Sequence, residues 1–144
     1  MTIKATEVSF QNHLSCLKRL FGRHSFRGGE IVHDFAFMLL ENYRSNVWQC
    51  DSWKYYDLSC GGGYMAPITD KNFTIHVHGN GFSGMLSADA AGIAVTLFAL
   101  NYFIWQAYEA GDHELNHWLI ERQEWLKYYA NQHSESEKIL GAVR

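Results

Sequence analysis

Proline is nearly absent, with Pro67 standing alone in 144 residues. That excludes Pro-rich linkers. With no low-complexity tract and no repeat of solenoid length, the chain reads as one domain, residues 1–144. Cysteine is scarce as well. Cys16, Cys50 and Cys60 are odd in number, widely spaced and free of any C-x-x-C, so they supply neither a disulfide framework nor a zinc site. Reduced thiols fit a cytoplasmic protein, and the opening MTIKATEVSFQNH lacks the apolar run of a signal peptide. Charge of either sign is thin. A net charge of −3 is far from the basicity of a nucleic-acid binder and equally far from a carboxylate array that imitates phosphates. Lys and Arg are in excess over residues 1–44, Asp and Glu over residues 101–144. Neither a G-x-S-x-G elbow nor a G-x-x-x-x-G-K-[ST] loop occurs.

Apolar and aromatic residues, by contrast, are plentiful. Hydrophobic residues make up 47% of the chain, with five Trp, eight Tyr and nine Phe, enough for a core without staples. Phe10, Leu14, Leu17 and Phe21 recur at helical spacing, predicting a helix from about Ser9 to Phe21 that stops at Gly22. The Gly28-Gly29 pair reads as a break before a second helix, with Ile31, Phe35, Met38 and Asn42 on one face beside Val32 and Leu39, ending near Tyr43. Periodicity then changes to two. Phe73, Ile75 and Val77 alternate with Thr74, His76 and His78, and Trp53–Ser59 and Gly63–Ala66 are further strand candidates. Short connections between the three suggest an antiparallel meander.

From Ser87 the pattern is helical again. Ser87 is the expected N-cap, and Asp89 in the first turn complements the helix dipole. Ala88, Ala91, Gly92, Val95 and Ala99 form a small-residue stripe, and Ile93, Leu97, Leu100 and Ile104 a large one. Residues 90–108 carry no charge and are long enough to span a bilayer, but Thr96, Asn101 and Gln106 interrupt the run and no cations flank it. A buried central helix is the reading adopted. Gly111 ends it, and Asp112 caps the next helix, whose inward face is Leu115, Trp118, Leu119, Arg122, Trp125, Leu126 and Tyr129. Ser134-Glu135-Ser136-Glu137 has the form of a capping box for a last short helix. The expected class is α+β: about five helices, one of them buried and central, around a small three-stranded antiparallel sheet.

Few residues suggest chemistry. His76 and His78 share one face of a strand, as metal ligands do, but no third ligand is evident beyond an arbitrary Asp57 or Asp70. They support only an alternative reading, a small metal-dependent hydrolase. Gly79-x-Gly81-x-x-Gly84 follows a strand and precedes a helix, yet the βαβ unit of a dinucleotide site is missing, so these glycines and Gly61–Gly63 read as turn positions. Ser59, Cys60 and Ser87 are available nucleophiles and His24, His33 and His76 available bases, without a motif joining them. Glu121 and Glu124 lie on a solvated helix face. Lys18, Arg19, Arg23, His24 and Arg27 form a basic cluster at the expected end of the first helix, where cations suit the dipole.

Three stretches are more specific than any of these patterns: MLSADAAGIAVTLFALN at residues 85–101, GGGYMAP at 61–67 and FGRH at 21–24. In them the chain resembles the ArdB/KlcA family of antirestriction proteins, over about Phe21 to Asn101. It departs from the family pattern at Cys60 and Gly63, where the turn reads LSCGGGYMAP rather than LSNGGFYMAP. It also departs in the link after Tyr43, where Arg44-Ser45-Asn46 and a longer path to Trp53 replace YRGG-x-W, and at Gly81 in place of an aromatic. The resemblance implies a protein of plasmids, phages or genomic islands that relieves restriction of unmodified DNA by type I restriction–modification enzymes. It implies no catalytic residue and no cofactor. The expected partner is the restriction enzyme or an associated host factor, with no sequence-specific nucleic acid and no membrane. Arg23, His24, Tyr64, Pro67, Ser87 and Asp89 are the candidate interaction surface. Composition adds an independent point: a chain of net charge −3 with a basic cluster makes a poor copy of a phosphate ladder.

Overall fold

The computed structural model describes residues 2–41, 43 and 53–144. Asn42, the Arg44–Asn46 link and Cys50 lie outside the described residues. In chain order the elements are β1 (Ala5–Val8), α1 (His13–Phe21), α2 (Ser25–Leu39), β2 (Trp53–Leu58), β3 (Gly63–Pro67), β4 (Asn72–Val77), β5 (Phe82–Ser87), α3 (Ala88–Glu109), α4 (His113–Asn131) and α5 (Ser136–Val143). Single 3₁₀ turns precede α1 and α2.

The core is organised around α3. Fourteen of its 22 residues are buried, and it packs on β3, α2, α4, α5 and β5. By length and composition it would cross a membrane, but 72% of its most apolar 18-residue window is enclosed by protein. Ser87 caps it as expected, its Oγ accepting from the Ala90 amide at 3.2 Å. The small stripe also has a defined purpose. A Cβ on Gly92 would lie 2.3 Å from the Met65 carbonyl oxygen and 2.5 Å from Ala66 Cα, so only glycine lets the helix sit this close to β3. At the far end Asp112 caps α4, its Oδ1 accepting from the Leu115 amide at 3.1 Å.

The class is α+β, with a three-stranded antiparallel sheet and a buried central helix, but the strand set differs from the expected meander. The three-stranded sheet has the order β1-β2-β3, with Ala5 opposite Leu58 and Tyr56 opposite Tyr64. β4 leaves it to pair with β5 in a separate hairpin, with His76 opposite Ser83 and Ile75 opposite Gly84. A helix takes the place beside β3 that a fourth strand would fill. The Thr96 hydroxyl accepts from the Met65 amide at 3.2 Å and donates to the Met65 carbonyl at 3.4 Å, all buried. Thr96 thus satisfies backbone groups that would otherwise be orphaned in the core.

Other local expectations shift. Gly28 and Gly29 lie inside α2 rather than before it, and a Cβ at Gly28 would fall 2.2 Å from the Phe21 ring. The glycine therefore serves α1–α2 contact, not a break. The apolar face of α1 rotates to Cys16, Leu20 and Phe21, leaving Phe10 and Leu14 exposed. Met38 is likewise exposed, and Ala36 takes its inward place. The capping box at Ser134 does not form: α5 starts at Ser136 after Glu135, whose side chain turns elsewhere.

Candidate functional site

Three of the six candidate surface residues meet where β5 turns into α3. Tyr64 comes from the middle of β3, and its hydroxyl donates to Asp89 Oδ1 at 2.7 Å. The other carboxylate oxygen, Oδ2, is 2.9 Å from His133 Nε2, at the end of α4. His133 Nδ1 accepts from the Glu135 amide at 3.0 Å. The Glu135 carboxylate closes the circuit on Ser87, accepting from its amide at 2.9 Å and its hydroxyl at 2.5 Å. Tyr56 and Tyr129 stack on either side of Tyr64, with centroids 4.8 and 5.7 Å away. The network joins β3, the start of α3 and the α4–α5 junction through groups that are mostly shielded from water.

The electrostatics follow from this geometry. Burial pushes the Tyr64 phenol well above its ordinary range, and the adjacent Asp89 carboxylate adds to the effect. Burial works against ionised Asp89, but the hydrogen bonds from His133 and Tyr64 outweigh it and hold the carboxyl below its ordinary value. His133 is shifted upward, first by its hydrogen bond to Asp89 and against the cost of burial. Tyr64 is therefore a fixed neutral donor, and Asp89 a carboxylate committed to two donors.

The remaining candidates are placed elsewhere. Tyr64 is 1% exposed and Pro67 is buried at the end of β3, so these two are scaffold and present no surface, contrary to the expectation. Arg23 projects from the turn before α2 and pairs with the Asp112 carboxylate at the start of α4. His24 stacks on Phe103 with centroids 5.1 Å apart, and burial followed by the charges of Arg23 and Arg27 lowers its pKa. The basic cluster is largely spoken for: Arg19 makes a two-pronged bond to Asp57 at 2.8 and 2.9 Å, and Arg27 reaches the Tyr102 hydroxyl.

His76 lies on the exposed side of β4, opposite Phe73, Ile75 and Val77, as the alternation indicates, and His78 is exposed in the turn just past the strand. His76 is held in a cross-strand row, with Nδ1 2.9 Å from Ser83 Oγ and Nε2 3.1 Å from Glu41 Oε2. The row has the members of a nucleophile–base–acid relay. However, the His76 and Glu41 side chains are 49% and 58% exposed, and water at that level screens the activation such a relay depends on. Another pattern, His113-Glu114-Leu115-Asn116-His117, has the H-E-x-x-H form of a zinc site and escapes a reading centred on the strands. Both of its histidines open outward from α4. Among the described residues no three His, Cys, Asp or Glu side chains gather as a metal would require. The Cys16 thiol is buried, which raises its pKa to about 12, and Cys60 is raised by burial as well. Gly61 and Gly62 have φ of 118° and 71° and lie against Trp125 and Arg122, so the triple-glycine turn accommodates α4 rather than cradling an anion.

His133 and Glu135 complete this network without having been marked for it by any pattern in the sequence. They lie 44 and 48 positions from Asp89 and Ser87, and the serine–glutamate spacing around them suggested a different cap. The fold and this network define a small α+β protein with a buried helical axis, in which polar groups fasten secondary elements together. Residues 41–144 match the antirestriction protein family, and the chain belongs to the ArdB/KlcA antirestriction family. It is 38% identical to antirestriction protein KlcA of Escherichia coli over 98% of this chain and 93% of the relative. It is 30% identical to the putative antirestriction protein YubI of Escherichia coli K12, over 92% and 89%. A solved structure superposes with a TM-score of 0.84 and 38% identity, covering 100% of this chain and 96% of the other. It comes from work on KlcA and ArdB describing a novel fold and antirestriction activity against type I DNA restriction systems in vivo but not in vitro.

Proposed function

We propose that this protein relieves restriction of unmodified DNA by type I restriction–modification enzymes inside the cell, as a non-catalytic interaction protein carried by a mobile element. The observation that carries the reading is the near full-length similarity to KlcA, whose antirestriction activity is described against type I DNA restriction systems in vivo. DNA mimicry is the wrong mechanism for this chain. Its net charge is only −3, and Arg19 and Arg23 neutralise Asp57 and Asp112, which argues against a dense carboxylate copy of a phosphate ladder. Activity in vivo but not in vitro, described for KlcA and ArdB, supports a partner present only in the cell: a host factor associated with the restriction enzyme, in the cytoplasm. Arg23, His24, Ser87 and Asp89 remain the proposed contact residues, with Tyr64 supporting Asp89 from beneath.

The test is plating of unmodified phage on a host with a type I system, with and without the protein. Plating efficiency should rise while modified phage plates equally in both. Unchanged efficiency would remove the proposal. Simple competitive displacement of DNA from the purified enzyme would instead restore mimicry.

A further inference from the structure

The bonding of His133 assigns its tautomer. Nδ1 faces the Glu135 amide, which has a hydrogen to donate, so Nδ1 must be a bare acceptor and the ring proton must sit on Nε2, toward Asp89. A second proton has only Nδ1 to bind, and there it meets the Glu135 N–H head-on. We propose that His133 is a proton-operated latch between α4 and α5: on taking a proton at Nδ1 it keeps Asp89, gives up the Glu135 amide, and frees the first turn of α5 from the start of α3.

The surroundings determine which bonds change. From α3, Asp89 gains a charged partner, and a charge-assisted bond is roughly twice as strong as a neutral one. From the junction itself, the Glu135 carboxylate is drawn toward the imidazolium and away from the Ser87 amide and hydroxyl it now accepts from. The other groups here are Tyr64 on β3, Tyr129 on α4, and Lys54 and Tyr56 on β2. Lys54 acts on Asp89, and Tyr129 packs edge-on to the ring at 6.4 Å. On α5, Lys138 donates to the Met85 carbonyl at 3.1 Å and does not face the ring's acceptor. The far end of α5 stays tethered because the Asn80 amide reaches the carbonyls of Ala142 and Arg144 at 3.1 and 2.9 Å. Acid therefore tightens α4 on α3 while α5 loosens from its N-terminal end, two effects of opposite direction driven by one proton.

Imidazole ¹⁵N chemical shifts and amide hydrogen exchange, followed across the His133 titration on the intact protein, test this. The expected result is an Nε2–H tautomer at high pH. On acidification, exchange at residues 135–139 should rise roughly three- to tenfold beyond the intrinsic pH effect, corresponding to one neutral hydrogen bond. Amides of α4 near Leu126 should hold or gain protection. In Glu135→Gln, which has no charge to be drawn, the rise should shrink. An Nδ1–H tautomer, or exchange at 135–139 that stays flat while His133 titrates, overturns the proposal. Both readings come from the unmodified chain, so they do not depend on a variant folding.

Discussion

Replacing Gly92 by alanine tests how tightly α3 and β3 are joined. In an unconstrained helix the change would help, since alanine is favoured over glycine by about 1 kcal/mol. Here the new methyl would lie 2.3 Å from the Met65 oxygen and 2.5 Å from the Cα and Cβ of Ala66. Carbon atoms rest about 3.5–4.0 Å apart, so α3 must retreat from β3 by roughly 1 Å. Overpacking of that kind costs about 1–3 kcal/mol. The retreat also stretches the Thr96–Met65 bonds, already 3.2 and 3.4 Å long, and leaves buried backbone groups unpaired at about 1–3 kcal/mol. Net of the propensity gain, Gly92→Ala should destabilise by about 1–5 kcal/mol, a fall in Tm of roughly 3–18 °C for a chain this size. Gly29→Ala is the control. Its nearest neighbours are Leu17 methyls at 3.8 and 3.9 Å, so the propensity gain should survive and Tm should rise. Melting curves by circular dichroism, with urea midpoints at constant m, measure both. A Gly92→Ala protein as stable as the parent would refute the steric argument.

Other consequences can be measured. Thr96→Val keeps the shape but removes both bonds to Met65, and should cost about 1–3 kcal/mol in urea unfolding. Asn80→Asp turns donors into a carboxylate facing the carbonyls of Ala142 and Arg144, so limited proteolysis should find the C-terminus cut more rapidly. Stability should depend on pH at both ends of the Asp89–His133 pair. Asp89 has a depressed pKa, so its contribution is present above the ordinary carboxylate value of 3.8 and fades as pH falls through the lower folded value. His133 has a raised pKa, so its contribution is complete below 6.5 and is lost as pH rises through the folded value. Asp89→Asn should flatten both limbs of a stability–pH profile. A His76→Ala/His78→Ala double variant should relieve restriction as well as the parent in the plating assay, whereas loss of relief with an intact fold would revive a role for that face.

Local chemistry was readable in the sequence and pairing across distance was not. The Ser87 and Asp112 caps, the small stripe of α3 and the alternation of β4 each depend on residues within a few positions of one another, and the structure has them where the pattern put them. β5 was hidden because Gly84 interrupts it and only Leu86 in it is fully buried, so no alternation announces a strand. β1 is four residues long and mostly exposed. Gly28 looked like a helix break because nothing near it in the chain reveals Phe21 packed on its face. At the Asp89 network the sequence marked Tyr64, Ser87 and Asp89 through the family wording. It gave no sign of His133 and Glu135, whose partners are reached only once α4 has folded back across α3.

The seating of α3 beside β3 also bears on how this molecule can meet copies of itself. A bare strand edge recruits other strands, and chains that expose one risk stacking into fibres. Along β3 that route is closed from inside by α3, which packs against the strand through Gly92 and binds the Met65 backbone groups through the Thr96 hydroxyl. Self-association through backbone pairing in this sheet is thereby directed to β1, at the opposite border. There Glu7 stands exposed on a strand only four residues long, so the template left open is short and carries a repelling charge.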